Sequence, residues 1–336
     1  MILVTGGTGL VGSHLLYELA LKGQKVKALI RPNSKSFQTE DFFNSFQPDS
    51  AELSERIEWI DGDIMDPYSL QNAMGGVDQV YHCAAMISFN PIDRRAMMEV
   101  NVEGTANVVN VCLEKGIKKL CHVSSIAALG HAECGTMITE NAKWKTSKFN
   151  TGYSVCKYGG EREVWRGIEE GLNAVIVNPS VIIGAGCLPR AVNRLLPNIK
   201  KFFPFYTDGV NGYVDVHDVV QAMIMLMESP ISAERYVLSA ENLTVLEFFS
   251  LAADVLGKPH PNIKLNSKLI VILALIDEIR CRLINSRPLI TRENVRSALS
   301  CSYYSSEKFL SAFNYSFIPI SESLANTFKI LEKQNR

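Results

Sequence analysis

Short apolar runs alternate with longer amphipathic stretches through the first half of the chain. The runs rich in β-branched residues cover positions 2–4, 25–30, 57–60, 77–83, 119–124 and 174–178. Between them, helical periodicity covers about positions 10–22, 67–74, 97–115 and 153–171. Strands and helices that alternate at this spacing predict parallel strands joined by crossover helices. We therefore expect an α/β protein with a doubly wound parallel sheet.

The pattern changes after Pro179. Proline, glycine and aromatic residues are frequent over positions 184–213, and the remainder has mostly helical character. We predict an α/β domain over residues 1–178 and a smaller, mostly helical region over residues 179–336, with some strands of the second region returning to the main sheet. Positions 34–54 are polar and contain phenylalanines, which is typical of an insertion after the second strand.

The composition is that of an ordinary globular protein. The chain of 336 residues is 47% hydrophobic and 21% charged, which excludes disorder as a description of the whole chain. Lys and Arg number 34 against 35 for Asp and Glu, so the formal net charge is -1. Because no excess of positive charge attracts phosphates, we expect neither a nucleic-acid partner nor binding to an anionic membrane.

Cysteine and histidine spacings indicate neither a disulfide framework nor a metal site. The eight cysteines include no C-x-x-C pair, and the six histidines include no H-x-x-x-H pair. The first strand begins too early to leave room for a signal peptide. The longest apolar run, positions 269–276, is eight residues long, far short of the about 20 that span a bilayer. We expect a soluble cytoplasmic protein with reduced thiols, no bound metal and no membrane span.

A glycine-rich loop follows the first strand and opens the first helix. It runs from Thr5 to Gly12, TGGTGLVG, with G-x-x-G-x-x-G spacing. Such glycines let the backbone turn tightly and approach a pyrophosphate, let the helix pack against the sheet, and direct the helix N-terminus at the phosphates. A glycine pattern alone is also typical of an ordinary turn. The strand before it and the helix after it favour a dinucleotide-binding loop.

The end of the second strand favours NADP over NAD. An NAD site places an acidic residue there to bind the ribose 2′-hydroxyl, whereas an NADP site uses a cation for the 2′-phosphate. This strand ends in Ile30, Arg31 and Pro32 without a carboxylate. Arg31 offers a planar, permanently charged group to a phosphate, or is alternatively a solvent-exposed arginine at a strand end.

Two further strand ends carry residues suited to a bound cofactor. Asp63 follows the third strand, where a carboxylate can accept a hydrogen bond from an adenine amine, while Asp61 is equally well explained by a turn. Ala84 and Ala85 follow the fourth strand, where small side chains leave room for a ligand lying across the sheet edge. Small residues are also common in protein cores.

Candidate catalytic residues lie on one predicted helix and at one strand end. Tyr153 and Lys157 are four residues apart and share a helix face. The ammonium can lower the pKa of the phenol and hold a nicotinamide ribose, while the phenol exchanges a proton with a carbonyl or hydroxyl group. Ser125, after the fifth strand, can hydrogen-bond the substrate oxygen or alternatively cap the next turn. A second pair, Tyr304 and Lys308, has no such serine, and we interpret it as fortuitous.

Together these motifs resemble those of the extended short-chain dehydrogenase/reductase family over nearly the whole chain. The matching segments are positions 5–12, 61–64, 82–85, 101–105, 123–130, 153–157, 178–180 and 212–219. The resemblance implies a Rossmann-type fold with a smaller C-terminal substrate-binding domain. It also implies an enzyme that interconverts alcohols and carbonyls, or that epimerises or dehydrates nucleotide sugars.

When the motifs are compared position by position, the resemblance implies a role for each residue of the site. Ser125, rather than Ser124, matches the catalytic hydroxyl, Tyr153 matches the proton relay, and Lys157 matches the residue that binds the ribose and tunes the tyrosine. Asn101 matches a supporting asparagine. The implied cofactor contacts are Gly6, Thr8, Gly9, Leu10, Val11, Gly12, Arg31, Asp63, Ile64, Ala84, Ala85, Tyr153, Lys157 and, beside the nicotinamide, Pro179 and Val181.

Departures from the family pattern narrow the expected reaction. Ile126 and Ala127 occupy the positions where the sugar dehydratases carry an Asp-Glu pair, so dehydration lacks its acid and base. The acidic residue that sugar epimerases carry after the second strand is absent. Arg190 and Arg194, which could clasp a diphosphate, lie in a stretch without a clear match to the family. These departures favour a reductase or dehydrogenase.

The expected substrate is an apolar carbonyl compound. Positions 201–206 and 269–284 supply aromatic and aliphatic side chains, typical of core or dimer packing and equally of an apolar substrate mouth. Ser88 and Phe89, with Ser125 and Tyr153, are the candidate substrate contacts. This combination favours the dihydroflavonol-reductase-like and hydroxysteroid-dehydrogenase-like branch of the family.

The resulting prediction is an NADP-dependent oxidoreductase that reduces a ketone or aldehyde. One alternative is a nucleotide-sugar epimerase that holds NAD tightly. Another is a non-catalytic NADP-binding protein, although the presence of Ser125, Tyr153 and Lys157 argues against it. A homodimer through two long helices, common in such families, is an open expectation.

Overall fold

Parallel strands dominate the fold, as the alternating pattern predicts. The structure, a computed structural model, describes residues 1–32, 39–46, 51–130, 132–133, 135–147, 150–186, 204–283 and 292–334. Its strands are β1 (Ile2–Thr5), β2 (Val26–Ile30), β3 (Ile57–Asp61), β4 (Gln79–His82), β5 (Lys119–Val123), β6 (Met137–Ile138), β7 (Ala174–Pro179), β8 (Val181–Ile183), β9 (Phe205–Tyr206), β10 (Val210–Asp215), β11 (Glu234–Leu238), β12 (Glu241–Thr244), β13 (Ile263–Lys264) and β14 (Tyr303–Tyr304).

Helices connect the strands and cover both faces of the sheet. They are α1 (Leu10–Leu21), α2 (Thr39–Phe46), α3 (Ala51–Ser54), α4 (Pro67–Ala73), α5 (Arg94–Met98), α6 (Gly104–Lys115), α7 (Gly152–Glu169), α8 (Val216–Glu228), α9 (Val245–Leu256), α10 (Ser267–Leu283), α11 (Arg292–Leu299), α12 (Glu307–Phe313) and α13 (Ile320–Gln334). A π-helical turn (Glu99–Glu103) joins α5 to α6, and a 3-10 turn (Ile126–Leu129) follows β5.

The large sheet has seven strands in the order β11-β7-β5-β4-β1-β2-β3, and every pair in it is parallel. The order runs outward in both directions from β1, so the sheet is doubly wound and the predicted fold class is confirmed. The strand β11 comes from the second half of the chain and pairs with β7. Smaller two- and three-stranded sheets contain the other strands.

Both faces of the sheet are buried, which explains why its strands have nearly continuous apolar sequences. On β1, Val4 packs into one core cluster with α1 and α8, whereas Leu3 packs into a second cluster with α4, α6 and α7. The same alternation separates Val175 from Ile176 on β7. Because successive side chains on a strand point to opposite faces, both clusters need apolar residues.

The second half of the chain builds a smaller core of its own. Around the sheet β12-β10-β8, a third cluster joins Tyr213 on β10 to Phe248 on α9 and Phe328 on α13. The rings of Tyr213 and Phe248 stack with centroids 4.4 Å apart. A capping box between Thr244 and Glu247 begins α9, which positions this helix against the small sheet.

The apolar run at positions 269–276 forms part of α10, but several of the large side chains that the structure describes there are exposed. Ala274 is buried, whereas Ile272 and Ile276 are 53% and 56% exposed. Core packing is therefore the wrong interpretation for these two residues. The candidate residues Arg190 and Arg194, positions 201–203 and position 284 lie outside the described residues.

Cysteine chemistry differs from the expectation at one position. Among the cysteines that the structure describes, five are free thiols, namely Cys83, Cys112, Cys121, Cys156 and Cys281. Cys301 is disulfide-bonded, so the expectation of reduced thiols is wrong there. Among the described residues, no group of three or more His, Cys, Asp or Glu could hold a metal ion. Within the same ranges, none of the helices combines the length and apolar character needed to cross a bilayer.

Candidate active site

The candidate catalytic residues meet at the carboxyl edge of the large sheet, where α/β proteins of this topology bind ligands. Ser125 follows β5 directly, and Tyr153 lies in the first turn of α7. Thr151 caps this helix by accepting a hydrogen bond from the backbone N–H of Ser154 at 3.0 Å. The cap fixes where the helix begins and thereby which residue occupies its first turn at the sheet edge.

The Ser125 hydroxyl lies close enough to the phenol of Tyr153 to influence its pKa. Burial raises the pKa of Tyr153 to about 12, and the Ser125 hydroxyl acts in the opposite direction. In the protein alone the pKa of Tyr153 is therefore raised rather than lowered as expected, because the loss of water around the phenol dominates. At neutral pH, Tyr153 holds its proton and is able to donate it.

Lys157 lies one helical turn further along α7 and is buried. Its Nζ donates to the carbonyl oxygen of Val123, the last residue of β5, at 2.9 Å. Burial lowers the pKa of Lys157 to about 8, while Cys83 and Glu161 act to raise it. An ammonium thus remains the main form of Lys157 at neutral pH.

The glycine loop forms a close backbone cradle. Gly6 has φ of +72°, and a Cβ there would lie 2.6 Å from the backbone nitrogen of Ala84. A Cβ on Gly12 would lie 2.2 Å from the carbonyl oxygen of Gly6, so this glycine serves the loop itself rather than helix–sheet packing. Gly9 begins α1 without a side-chain cap. The N–H groups of the first turn are left for an anionic ligand, which fits a dinucleotide pyrophosphate.

The cradle also contains the remaining predicted loop residues. Thr8 and Leu10 are half-buried beside it, while Val11 is buried in the first core cluster, so its side chain supports α1. Ala84 and Ala85 are half-buried directly after β4. The backbone of Ala84 lies directly against Gly6.

Residues expected at the adenosine end lie at neighbouring strand ends. Arg31 follows β2 and is exposed. Asp63 is half-buried, and its Oδ1 accepts a hydrogen bond from the backbone N–H of Met65 at 3.0 Å. The Ile64 side chain is buried against the position where Gly104 lacks a Cβ, which indicates a packing role for that side chain.

The two candidate substrate residues after β4 have different environments. The ring of Phe89 lies beside that of Tyr153, with centroids 5.8 Å apart. Ser88 instead donates to Asp93 Oδ2 at 2.7 Å and accepts from the backbone N–H of Asn90 at 3.1 Å. The structure therefore brings Phe89 to Tyr153, whereas Ser88 holds the turn of its own loop.

Asn101 and Asn178 support the backbone around the site. In the π-helical turn, Asn101 accepts from the N–H of Met86 at 2.7 Å and donates to its carbonyl at 2.8 Å. At the end of β7, Asn178 Nδ2 donates to the carbonyl oxygen of Ser125 at 3.0 Å. Next to it, Pro179 is buried and Val181 is half-buried. The predicted supporting role of Asn101 agrees with this geometry.

Sequence reasoning did not single out Glu161 and Arg235. The carboxylate of Glu161 is 2% exposed and forms an ion pair with Arg235 at 2.8 Å. Glu161 lies four residues after Lys157, so helical spacing alone places both on one face of α7. That spacing is the signal that could have identified it, whereas nothing local marks Arg235.

The second tyrosine–lysine pair is built differently. Tyr304 belongs to strand β14 and Lys308 to helix α12, so no common helix aligns them. Lys308 Nζ forms an ion pair with Glu234 at 2.5 Å. This arrangement agrees with the interpretation of that pair as fortuitous.

Comparison with known proteins agrees with the fold and the motifs. The family model described as "NAD dependent epimerase/dehydratase family" matches residues 2–239. The "Sterol demethylase protein B" of Methylococcus capsulatus is 30% identical over 284 residues, covering 82% of this chain and 80% of that protein. A "Putative dihydroflavonol 4-reductase" of Synechocystis sp. is 27% identical over 329 residues, covering 96% of this chain and 92% of that protein.

Solved structures show the same architecture. The crystal structure of gox2253 aligns with a TM-score of 0.81 at 30% identity and covers 100% of this chain and 99% of that chain. The UDP-glucose 4-epimerase of Thermus thermophilus, solved with NAD, aligns with a TM-score of 0.74 at 19% identity, covering 98% of each chain. At that identity the second likeness shows the fold alone.

Proposed function

The chain belongs to the NAD-dependent epimerase/dehydratase family, and on that premise we propose that it is an NADP-dependent reductase of an apolar ketone or aldehyde. The observation that carries the proposal is the position of Ser125, directly after β5, beside the phenol of Tyr153, with the buried Lys157 one helical turn along α7. This group lies at the sheet edge next to a backbone cradle built on glycines.

The cofactor proposal rests on the cradle and on the charge at the end of β2. Gly6, Gly12 and the uncapped start of α1 would hold the pyrophosphate, and the exposed Arg31 would bind the 2′-phosphate. The absence of a carboxylate between Ile30 and Pro32 favours NADP over NAD. The bound nicotinamide dinucleotide supplies the hydride that reduces the carbonyl carbon.

Each catalytic side chain then has a defined task. The Ser125 hydroxyl donates a hydrogen bond to the carbonyl oxygen, where negative charge develops. Tyr153, protonated at neutral pH, transfers its proton to that oxygen and completes the alcohol. The buried ammonium of Lys157 stabilises the phenolate that remains and positions the nicotinamide ribose. Solvent then restores the proton to Tyr153.

The apolar substrate class is supported by the surroundings of Tyr153. The ring of Phe89 lies next to the phenol, and an aromatic wall suits an apolar carbonyl compound. The acid–base pair that dehydration needs is replaced by Ile126 and Ala127, and Ile126 packs onto a small apolar cluster. Relatives bear the names "Putative dihydroflavonol 4-reductase" and "3beta-hydroxysteroid-dehydrogenase/decarboxylase isoform 1", which agrees with a carbonyl or alcohol group on a ring compound.

A deuterium-transfer assay tests the proposal. The protein is incubated with NADPH deuterated at the transferable position and a panel of aryl ketones, enals and steroid ketones, and products are analysed by mass spectrometry. We expect deuterium on the carbinol carbon of at least one apolar product, with stoichiometric loss of NADPH. Epimerisation of a nucleotide sugar without net cofactor consumption would contradict the proposal. Cofactor binding without turnover of any panel member or sugar would indicate the non-catalytic alternative.

A further inference from the structure

We propose that Glu161 is a positioning residue of this site: its buried carboxylate ties helix α7 to the strand ends that hold Ser125 and provides the counter-charge for Lys157. The proposal rests on the function proposed above, because the two residues that it positions are Ser125 and Lys157. Glu161 itself touches neither Tyr153 nor any position assigned to the substrate, so it is not a catalytic residue.

The carboxylate of Glu161 collects donors from four separate elements. Its Oε2 accepts from Ser124 Oγ at 2.6 Å and from Asn178 Nδ2 at 2.7 Å. Its Oε1 accepts from Arg235 Nη1 at 2.8 Å and from Trp165 Nε1 at 3.3 Å. Only the last donor belongs to α7 itself. One side chain therefore joins this helix to the ends of β5 and β7 and to β11.

Two of these donors are adjacent to Ser125, one in the chain and one through a hydrogen bond. Ser124 precedes Ser125 in the chain, so its hydrogen bond to Glu161 fixes the backbone on one side of the serine. Asn178 donates both to Glu161 and to the carbonyl oxygen of Ser125, at 2.7 and 3.0 Å. The helix that carries Tyr153 and the strand end that carries Ser125 are thus connected through one carboxylate. Their separation decides whether both can reach the same substrate oxygen.

Arg235 anchors the other side of the carboxylate. Its guanidinium donates to the carbonyl oxygens of Glu140, at 3.0 and 2.6 Å, and of Ala142, at 2.9 Å. The side chain of Glu140 in turn accepts from the backbone N–H of Val237 at 2.8 Å. The segment that leads into α7 is therefore held to β11 by the same arginine that pairs with Glu161. The guanidinium of Arg235 therefore donates both to the Glu161 carboxylate and to the backbone of this segment.

Glu161 also acts to raise the pKa of Lys157. The other titratable groups near this ammonium are Cys83, Cys156, His82, His122 and Tyr153. Burial raises the pKa of the Cys83 thiol to about 12 and lowers the pKa of the His82 imidazole to about 3, so both are uncharged at neutral pH. Glu161 is the carboxylate that favours the ammonium against burial.

The amide substitution Glu161→Gln tests both parts of the proposal. It keeps the shape of the side chain but replaces one carboxylate oxygen by an amide NH2 group, which donates hydrogen bonds. Either Ser124 and Asn178, or Arg235, therefore lose the oxygen that accepts their hydrogen bonds. We expect kcat for carbonyl reduction to fall about 10- to 100-fold, because small displacements of reacting groups have effects of that size. KM and the dissociation constant of NADPH should change by less than about threefold.

The pH dependence separates positioning from simple loss of stability. In the wild type we expect kcat and NADPH affinity to decline above pH 8, as Lys157, with its pKa of about 8, loses its proton. Removing the negative charge at position 161 destabilises the ammonium, so the decline in Glu161→Gln should begin about one pH unit lower. NADPH affinity, measured by fluorescence titration, reports this shift without any turnover.

The matched control is Glu163→Gln on the same helix. The side chain of Glu163 is 28% exposed and pairs with Arg166 near the surface, at 2.9 Å. The same substitution there should leave kcat, its pH dependence and NADPH affinity unchanged. If Glu161→Gln does not fold, Ser124→Ala serves instead, because it removes one donor to the carboxylate. It should lower kcat by more than about threefold with little change in KM.

Two results would overturn the inference. One is Glu161→Gln with the kcat and pH dependence of the wild type, whatever its melting temperature. The other, if only Ser124→Ala folds, is an unchanged kcat in that variant. Failure of the proposed function is a separate result, since it appears as reductase activity that persists in Tyr153→Phe. An inactive Tyr153→Phe beside a fully active Glu161→Gln would contradict this inference alone.

Discussion

Helices α7 and α10 are nearly equal in length, with 18 and 17 residues, yet they bury different kinds of side chain. Helix α7 buries polar groups, including Lys157 and Glu161, and places them against strand ends. Helix α10 is more apolar but buries the small side chains Ala274 and Cys281. An apolar sequence therefore does not by itself place a helix face in the core, and a polar sequence does not exclude it.

Close packing explains how α7 can bury charged groups. A Cβ on Gly160 would lie 2.3 Å from the carbonyl oxygen of Asn101, and one on Gly167 would lie 2.4 Å from Val109 Cγ1. These glycines let α7 approach the π-helical turn and α6 so closely that water is excluded. The buried polar groups are then hydrogen-bonded inside the protein, as burial requires.

Within the part of the chain that the structure describes, helix α10 leaves its large aliphatic face open. Val271, Leu275 and Ile279 are 41%, 42% and 50% exposed and share that face with Ile272 and Ile276. The contrast predicts that substitutions of the buried polar residues on α7, and of the glycines in the cradle, change activity strongly. Substitutions on the exposed face of α10 should change stability little.

The largest effect is expected from Tyr153→Phe, which removes the proton donor and keeps the ring. We expect kcat to fall about a hundredfold to ten-thousandfold, the usual contribution of a general acid, with NADPH affinity within about threefold. The control is Tyr158→Phe on the same helix. The ring of Tyr158 stacks on that of Trp144, with centroids 4.3 Å apart. Steady-state kinetics of both variants measure the change in kcat. Retained turnover in Tyr153→Phe would contradict the site assignment.

Gly12→Ala should weaken cofactor binding. The added Cβ would lie 2.2 Å from the carbonyl oxygen of Gly6, so the cradle must shift away from its phosphate-binding geometry. We expect the dissociation constant of NADPH to rise at least about tenfold, equivalent to about 1.4 kcal/mol. Fluorescence titration measures it, with the melting temperature of the unliganded variant as a check on folding. Unchanged affinity would mean that the phosphates bind elsewhere.

Arg31→Asp should change cofactor preference. The arginine is exposed after β2, and an aspartate there would repel a 2′-phosphate and accept from a 2′-hydroxyl. We expect the ratio of NADPH to NADH affinity to fall about tenfold or more, because hydrogen bonds to charged groups contribute about 1.5–3 kcal/mol. NADH, which lacks the phosphate, is the internal control. A constant ratio would show that another residue binds the phosphate.

The smallest effects compare the two helices directly. Val164 on α7 is fully buried, and Val164→Ala should lower the free energy of unfolding by about 2 kcal/mol. Ile272 on α10 is 53% exposed, and Ile272→Ala should change it by less than about 0.5 kcal/mol. Urea unfolding of both variants tests the contrast. Equal losses would show that the aliphatic face of α10 is covered in solution.

The parts of the fold and site that were predictable are those with local signals. The strands of the large sheet follow from short apolar runs, and the cradle follows from glycines at fixed spacing after β1. Tyr153 and Lys157 were identified by helical spacing and Ser125 by its position after β5. The structure places Ser125 close enough to the phenol of Tyr153 to influence its pKa.

The unpredicted parts depend on contacts between distant segments. The ion pair of Glu161 with Arg235 joins residues 74 positions apart, on an α-helix and a strand whose adjacency only the tertiary fold defines. The raised pKa of Tyr153 follows from burial, which the motif does not contain. The exposed face of α10 was also not predictable, because an apolar run does not determine which side of a helix packs against the core.

The central claim is that this chain uses a dissociable NADP for carbonyl reduction. The most direct measurement is to denature freshly purified protein, identify any released nicotinamide by mass spectrometry, and titrate the native protein with NADPH and NADH. We predict little retained cofactor, together with reversible binding of NADPH that is tighter than that of NADH. About one NAD retained per chain would contradict the account and indicate an epimerase that regenerates its cofactor in place.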